Sequence, residues 1–147
     1  NLLGTVNCLE LAKRNKAKFV FLSTSRVYPI KHLENVHFTE DATRFRWSDN
    51  QILKGVSSQG VTEDFTLQGS RSFYGATKLS SELLIQEYNE LAGLQTVINR
   101  CGVLTGAWQM GKVDQGVVVL WVARHFWKGK LGYFGYGGEG KQVRDIL

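Results

Sequence analysis

The sequence predicts an α/β fold built on a doubly wound parallel sheet, and three observations predict it. Apolar residues recur at helical spacing from Leu2 to about Lys16, a short apolar run at 18–22 ends in a hydroxyl cluster, and the same helix-then-strand order returns at 75–98. With 43% hydrophobic and 21% charged residues, the 147-residue chain has the balance of globular material able to bury a core.

In the first segment Leu2, Leu3, Val6, Leu9, Leu11 and Ala12 mark the apolar positions. Lys13, Arg14 and Lys16 gather near the C-terminal end, where cations suit the helix dipole. Lys18-Phe19-Val20-Phe21-Leu22 suits a buried parallel strand and runs into Ser23-Thr24-Ser25. In doubly wound sheets ligands bind beyond the carboxyl ends of the strands, so this cluster stands where chemistry is expected. Residues 29–73 form a polar stretch of weak periodicity containing the sole proline, Pro29, and predict a long lid, binding loop or disordered segment. From Gly75 a strong helical pattern places Leu79, Leu83, Leu84, Tyr88 and Leu91 on one side. Glu82, Gln86, Glu87 and Glu90 fall mostly on the other, and Gly93 stops the helix. Thr96-Val97-Ile98 predicts a second strand leading into Asn99-Arg100-Cys101-Gly102. Gln115 to about Lys128 predicts a buried helix, and a glycine-rich tail precedes Lys141-Gln142-Val143-Arg144-Asp145.

Composition narrows the function classes. The net charge of +5 is scattered among acidic residues without the basic, aromatic-interleaved runs of a nucleic-acid surface, and it suits a phosphate-bearing small substrate. The longest apolar run, Val117 to Ala123, falls far short of the roughly 20 residues of a spanning helix, so no membrane anchor is expected. Cys8 and Cys101 stand far apart in apolar surroundings, giving neither a disulfide framework nor a metal-ligand spacing; a cytoplasmic location follows as the expectation. The only methionine is Met110, and residue 1 opens in what reads as mid-helix, so the chain is expected to be part of a longer one.

Tyr74 and Lys78 are four residues apart at the start of the strong helix, which projects both from one face. An ammonium beside a phenol favours the phenolate, a base able to take a proton from a sugar hydroxyl. That spacing is weak by itself, and a Ser/Thr cluster after a strand is commonly a turn or helix cap. Together, a phenol–ammonium pair and a hydroxyl donor at a neighbouring strand end are the groups that hydride removal from an alcohol needs.

At these residues the chain resembles the extended short-chain dehydrogenase/reductases of the NAD-dependent epimerase/dehydratase family. Tyr74-Gly75-Ala76-Thr77-Lys78 looks like the family's Tyr-x-x-x-Lys signature, and Asn1-Leu2-Leu3-Gly4-Thr5 like its Asn-x-x-Gly-Thr helix. Ser23-Thr24-Ser25-Arg26-Val27-Tyr28 looks like its Ser-(Ser/Thr)-x-x-Val-Tyr strand end, and Gln142-Val143-Arg144-Asp145 like its Arg-Asp segment. The likeness implies the later half of a Rossmann-type NAD-binding domain at about 1–105 and the start of a substrate-binding region at about 106–147. It implies Tyr74 as acid/base, Lys78 on the nicotinamide ribose and Thr24 on the reacting oxygen. Tyr74, Lys78 and Cys101 would face the cofactor NAD; Thr24, Ser25, Gln115 and Arg144 would face the substrate, with Arg144 on its diphosphate. His125, near the end of an apolar helix, is expected to pack or cap.

Within the family, the sugar 4,6-dehydratases place Asp-Glu directly after the active-site threonine, where this chain has Ser25-Arg26. Eliminating water needs an added acid and base, so dehydration is disfavoured. Arg100-Cys101-Gly102-Val103 departs from the Arg-Tyr-Phe-Asn of the familiar 4-epimerases. The 29–73 stretch, Lys112-Val113-Asp114-Gln115-Gly116 and Gly140–Asp145 are most similar to the CDP-tyvelose (CDP-paratose) 2-epimerases. This implies transient oxidation of a sugar hydroxyl, at C2 of a CDP-linked deoxysugar, with hydride returned to the opposite face. Another 4-epimerase, dehydratase or reductase of the family is the first alternative, and a non-catalytic binding or regulatory domain the second. No segment resembles the family's Gly-x-x-Gly-x-x-Gly phosphate turn, so these 147 residues alone are expected to bind NAD weakly and turn over nothing. Family likeness also implies a homodimer or homotetramer at full length, through the Tyr-x-x-x-Lys helix and the helix at 1–16.

Overall fold

The computed structural model describes residues 1–111, 116–134, 136–143 and 145–146. Two compact units divide the chain: residues 1–37 with 47–101, and residues 38–46 with 102–147.

The first unit is an α/β layer. Helix α1 (Leu2–Arg14) leads into strand β1 (Phe19–Thr24), and helix α3 (Phe73–Ala92) leads into strand β6 (Thr96–Cys101). β1 and β6 pair in parallel with Phe19 opposite Thr96, Ser23 opposite Arg100 and Thr24 opposite Cys101. α1 and α3 pack through Leu9, Ala12, Ile85 and Leu94 against Phe19, Phe21 and Ile98. Ser81 Oγ lies 3.3 Å from Thr5 Oγ1 in the same seam. α3 starts cleanly because Ser72 Oγ accepts the Gly75 N–H at 3.1 Å, an N-cap that satisfies an otherwise orphan donor. It stops at Gly93, whose φ of 65° is the left-handed cap conformation and whose N–H returns to the Asn89 carbonyl.

Three expectations are revised here. The strands are parallel but not buried on both faces: Val20 (59% exposed), Leu22 and Val97 remain open because α1 and α3 cover only the face carrying Phe19, Phe21 and Ile98. On α3, Leu83 and Leu91 are exposed and Glu82 is buried at 1% exposure, because its carboxylate meets polar partners inside. Cys8 is exposed, whereas Cys101 is buried.

The 29–73 stretch is more structured than its weak periodicity suggests. A short helix α2 (Ile30–Glu34) is followed by β2 (Phe38–Glu40), β3 (Phe45–Trp47), β4 (Val56–Ser57) and β5 (Gly60–Val61). β4 and β5 pair antiparallel, and β2 pairs with β3. A second apolar cluster of Val27, Tyr28 and Phe65, joined by Leu33, Leu53, Val56, Val61, Leu67 and Leu79, anchors its first-unit part. The Tyr28 and Phe65 rings meet edge to face at 5.6 Å.

In the second unit, Phe38 and Phe45 meet edge to face at 5.2 Å, and the Phe45 N–H donates to the Lys141 carbonyl at 2.9 Å. The Val103 N–H donates to the Asp145 carbonyl at 2.7 Å beside a parallel bridge between Val103 and Ile146. Helix α4 (Val117–Phe126) occupies the core of the predicted 115–128 helix. Its expected burial is not found: none of its residues is buried, and Val122 and Phe126 are exposed, although the Phe126 and Trp127 rings meet edge to face at 5.0 Å.

Candidate active site

The parallel register delivers Thr24 and Cys101 to the same place. As partners across β1 and β6 they form the last rung of the ladder, at the carboxyl ends of both strands. Both are buried, while Ser25, the next residue, turns outward. Immediately after β1 the chain makes a 3-10 turn, Ser25–Val27, and the Thr24 hydroxyl accepts the Arg26 N–H at 3.3 Å. Thr24 is therefore a cap and a strand-end hydroxyl at once.

α3 brings its N-terminal turn onto this point. Gly75 is buried, and a Cβ built on it would stand 2.1 Å from the Arg26 carbonyl oxygen, so only a residue without a side chain lets the helix approach so closely. Tyr74, its neighbour, is 45% exposed and able to meet a ligand. One turn on, the Lys78 ammonium donates to the Leu22 carbonyl at 2.8 Å and lies 4.5 Å from the centre of the Phe21 ring. A carbonyl and an aromatic face both favour a cation, so Lys78 is held over β1 by two attractions at once. The predicted Tyr74, Lys78, Thr24, Ser25 and Cys101 thus belong to three segments converging on one strand end. Gln115 and Arg144 lie outside the described residues; Asp145, after Arg144, is tied to Val103 in the second unit. His125 is exposed, and its Nδ1 lies 2.8 Å from the Trp121 carbonyl within α4.

Sequence reasoning missed what lies beneath. Glu82 accepts hydrogen bonds from the Ser23 hydroxyl and from Arg100, whose Nη2 reaches Oε2 at 2.8 Å and whose Nε reaches Oε2 at 3.1 Å. The guanidinium also donates to the Tyr28 hydroxyl at 3.4 Å and lies 5.4 Å from that ring's centre. Burial disfavours the Arg100 cation, but its hydrogen bonds to Glu82 and Tyr28 and the Glu82 charge outweigh this and push its pKa up. The signal was present: Tyr74, Lys78 and Glu82 are spaced by four on one helix face, and Ser23 and Arg100 immediately precede Thr24 and Cys101.

Known proteins share the sequence and fold of this chain. CDP-paratose 2-epimerase of Salmonella typhi is 32% identical over 152 residues, covering 100% of this chain and 42% of that protein. The structure of UDP-N-acetylglucosamine 4-epimerase from Methanobrevibacter ruminantium M1, in complex with UDP-N-acetylmuramic acid, superposes with a TM-score of 0.71 at 20% identity. It covers 100% of this chain and 39% of that one and shares its fold. UDP-glucuronic acid 4-epimerase from Bacillus cereus, in complex with UDP-glucuronic acid and NAD, gives a TM-score of 0.62 at 27% identity over 99% of this chain and 36% of that one. The chain therefore spans less than half the length of each of these proteins. Residues 1–147 match, from end to end, the NAD dependent epimerase/dehydratase family, and the chain belongs to that family.

Proposed function

We propose that this chain carries the proton-transfer part of an NAD-dependent nucleotide-sugar epimerase, with Tyr74 as acid/base, Lys78 as its cationic partner and Thr24 as the hydroxyl that steadies the reacting oxygen. The observation that supports it most is the convergence at one strand end. The parallel register sets Thr24 beside Cys101, Gly75 lets the start of α3 close onto the Arg26 carbonyl, and Lys78 hangs over the Leu22 carbonyl.

NAD, when bound, supplies reversible hydride acceptance. Tyr74 and Lys78, on one helix face beside the strand end, fit its nicotinamide-ribose end: a phenol and an ammonium suit ribose hydroxyls, and buried Cys101 offers an apolar neighbour to the ring. The chain's own work is to move one proton. Tyr74, partly open to solvent, takes it from a sugar hydroxyl and returns it, with the Lys78 ammonium one turn away on the same helix. Thr24 holds the same oxygen so that the bond to hydrogen breaks in one orientation. Ser25 and Arg26 supply no carboxylate beside Thr24, which favours epimerisation over dehydration.

The substrate is a nucleotide-diphosphate sugar. Similarity to the Salmonella typhi CDP-paratose 2-epimerase supports a CDP-linked deoxysugar inverted at C2, with Gln115 and Arg144 on the substrate side. A cytoplasmic enzyme assembled as a homodimer or homotetramer completes the reading. The test is turnover by the natural protein that carries this chain, with NAD and either CDP-paratose or UDP-glucuronic acid. CDP-paratose is expected to be inverted and Tyr74→Phe to lower kcat about 100-fold or more. Undiminished turnover by Tyr74→Phe would refute the assignment, and preference for UDP-glucuronic acid would move the chain to another branch.

A further inference from the structure

Among the described residues, the carboxylate of Glu82 links all three site-bearing segments. Ser23, next to Thr24, donates to it from β1; Arg100, next to Cys101, donates to it from β6; and Glu82 itself sits on α3 one turn beyond Lys78 and two beyond Tyr74. It is 1% exposed, so water does not reach the carboxylate without opening the unit, while the Arg100 side chain keeps 17% exposure. A buried ion pair is a poor route to stability, because desolvating two charges offsets most of their attraction. Geometry is what such a pair delivers here. Arg100 Nε and Nη2 both reach Oε2, Nε also lies 3.3 Å from Oε1, and Oε1 takes up the Ser23 hydroxyl, so donors from two strands fix the carboxylate at both oxygens. The far end of the guanidinium reaches Tyr28, so the turn after Thr24 is fastened from both sides.

We propose that Glu82, with Arg100 and Ser23, is a positioning residue: it sets the register between the α3 face bearing Tyr74 and Lys78 and the strand end bearing Thr24. The inference rests on the assignment of those three residues in the proposed function. Neither Glu82 nor Arg100 touches substrate. Their effect is on where the Thr24 hydroxyl stands, and misplacement of a reacting group by about 1 Å costs on the order of 100-fold in rate.

The experiment compares Ser23→Ala, Glu82→Gln and the double variant Glu82→Met/Arg100→Met in the natural protein that carries this chain. The double variant removes both charges, so it is expected to regain the Tm that Glu82→Gln loses. If the network positions the site, Ser23→Ala lowers kcat about 5-fold to 10-fold at nearly unchanged Tm, and the double variant stays about 10-fold to 100-fold down in kcat with KM for the sugar little changed. Wild-type kcat in Ser23→Ala, or in a double variant of restored Tm, overturns the proposal.

A readout independent of turnover accompanies it: hydrogen exchange at the Arg26 amide, which donates to Thr24, against that at the Gly93 amide at the far end of α3. Ser23→Ala is expected to speed exchange at Arg26 about 10-fold and leave Gly93 unchanged. Equal change at both amides, or none at Arg26, overturns the proposal. If the wild-type protein inverts no nucleotide sugar, the functional reading fails, while the exchange comparison still decides whether Glu82 holds the strand end.

Discussion

Each of the two units joins a cation to carboxylates at almost the same distance. In the first, Arg100 Nη2 meets Glu82 at 2.8 Å; in the second, Lys141 Nζ meets Glu40 at 2.7 Å and Glu139 at 3.0 Å. Their surroundings differ. Glu82 is 1% exposed, whereas Glu40 and Glu139 are 54% and 62% exposed. Water competes for an open carboxylate and screens it, so the lysine cluster holds its loops weakly. Around Glu82 there is no competing solvent, and every donor aimed at the carboxylate depends on it. Separation between charges therefore says little about their importance; access to water decides it.

The contrast can be sharpened by mutation, beginning with the largest effect. Glu82→Gln leaves Arg100, 17% exposed, without its counter-charge beside a buried carboxamide and is expected to destabilise the unit by about 3 kcal/mol, read from urea unfolding. An unchanged urea midpoint would show that water compensates Arg100 fully. Gly75→Ala comes next. Its new methyl would meet the Arg26 carbonyl, and a forced shift of that kind costs about 1–3 kcal/mol. Gly4, within α1, has no atom within 4 Å of the added Cβ, so Gly4→Ala is expected to stabilise by about 0.5–1 kcal/mol in the same urea unfolding measurement. If the two alanines behaved alike, the close approach of α3 to the strand end would be wrong.

Lys141→Ala is expected to lower Tm less than either first-unit substitution that destabilises, and its effect should shrink as salt is added. A salt-independent loss would mark the lysine cluster as shielded. The smallest expected effect lies on the surface of the first unit. The Tyr88 hydroxyl donates to Glu10, and that hydrogen bond, with burial and the Glu10 charge, holds the phenol above its ordinary value of 10.0. Because the folded value lies above the unfolded one, this contribution is full below about pH 10 and disappears as pH rises through the raised value. Stability of wild type minus Tyr88→Phe should thus be flat near neutrality and fall in alkali; a difference that grows in alkali would contradict the bond.

Much of the site was legible in advance because its parts are local in sequence. A four-residue spacing puts Tyr74 and Lys78 on one helix face wherever the helix goes, and a short apolar run ending in Ser23-Thr24-Ser25 announces a strand end. Glu82 was read as facing solvent because carboxylates usually do; its burial depends on Arg100 and Ser23, which belong to other segments. The exposure of Val20, Leu22 and Val97 was hidden for a similar reason, since an apolar run does not say how many of its faces are covered. The 29–73 stretch looked like a bare loop because strands of two or three residues are too short to show a period.

By itself the sequence determined the two main helix–strand pairs, the family, and the residue types able to move a proton, since periodicity, caps and motif spacing are properties of neighbouring residues. Only the tertiary structure decided that Thr24 stands opposite Cys101, that Gly75 is the point of closest approach, and that one buried carboxylate ties three segments together. Those are choices of register and burial between distant parts of the chain, and their energies exist only once packing has excluded water.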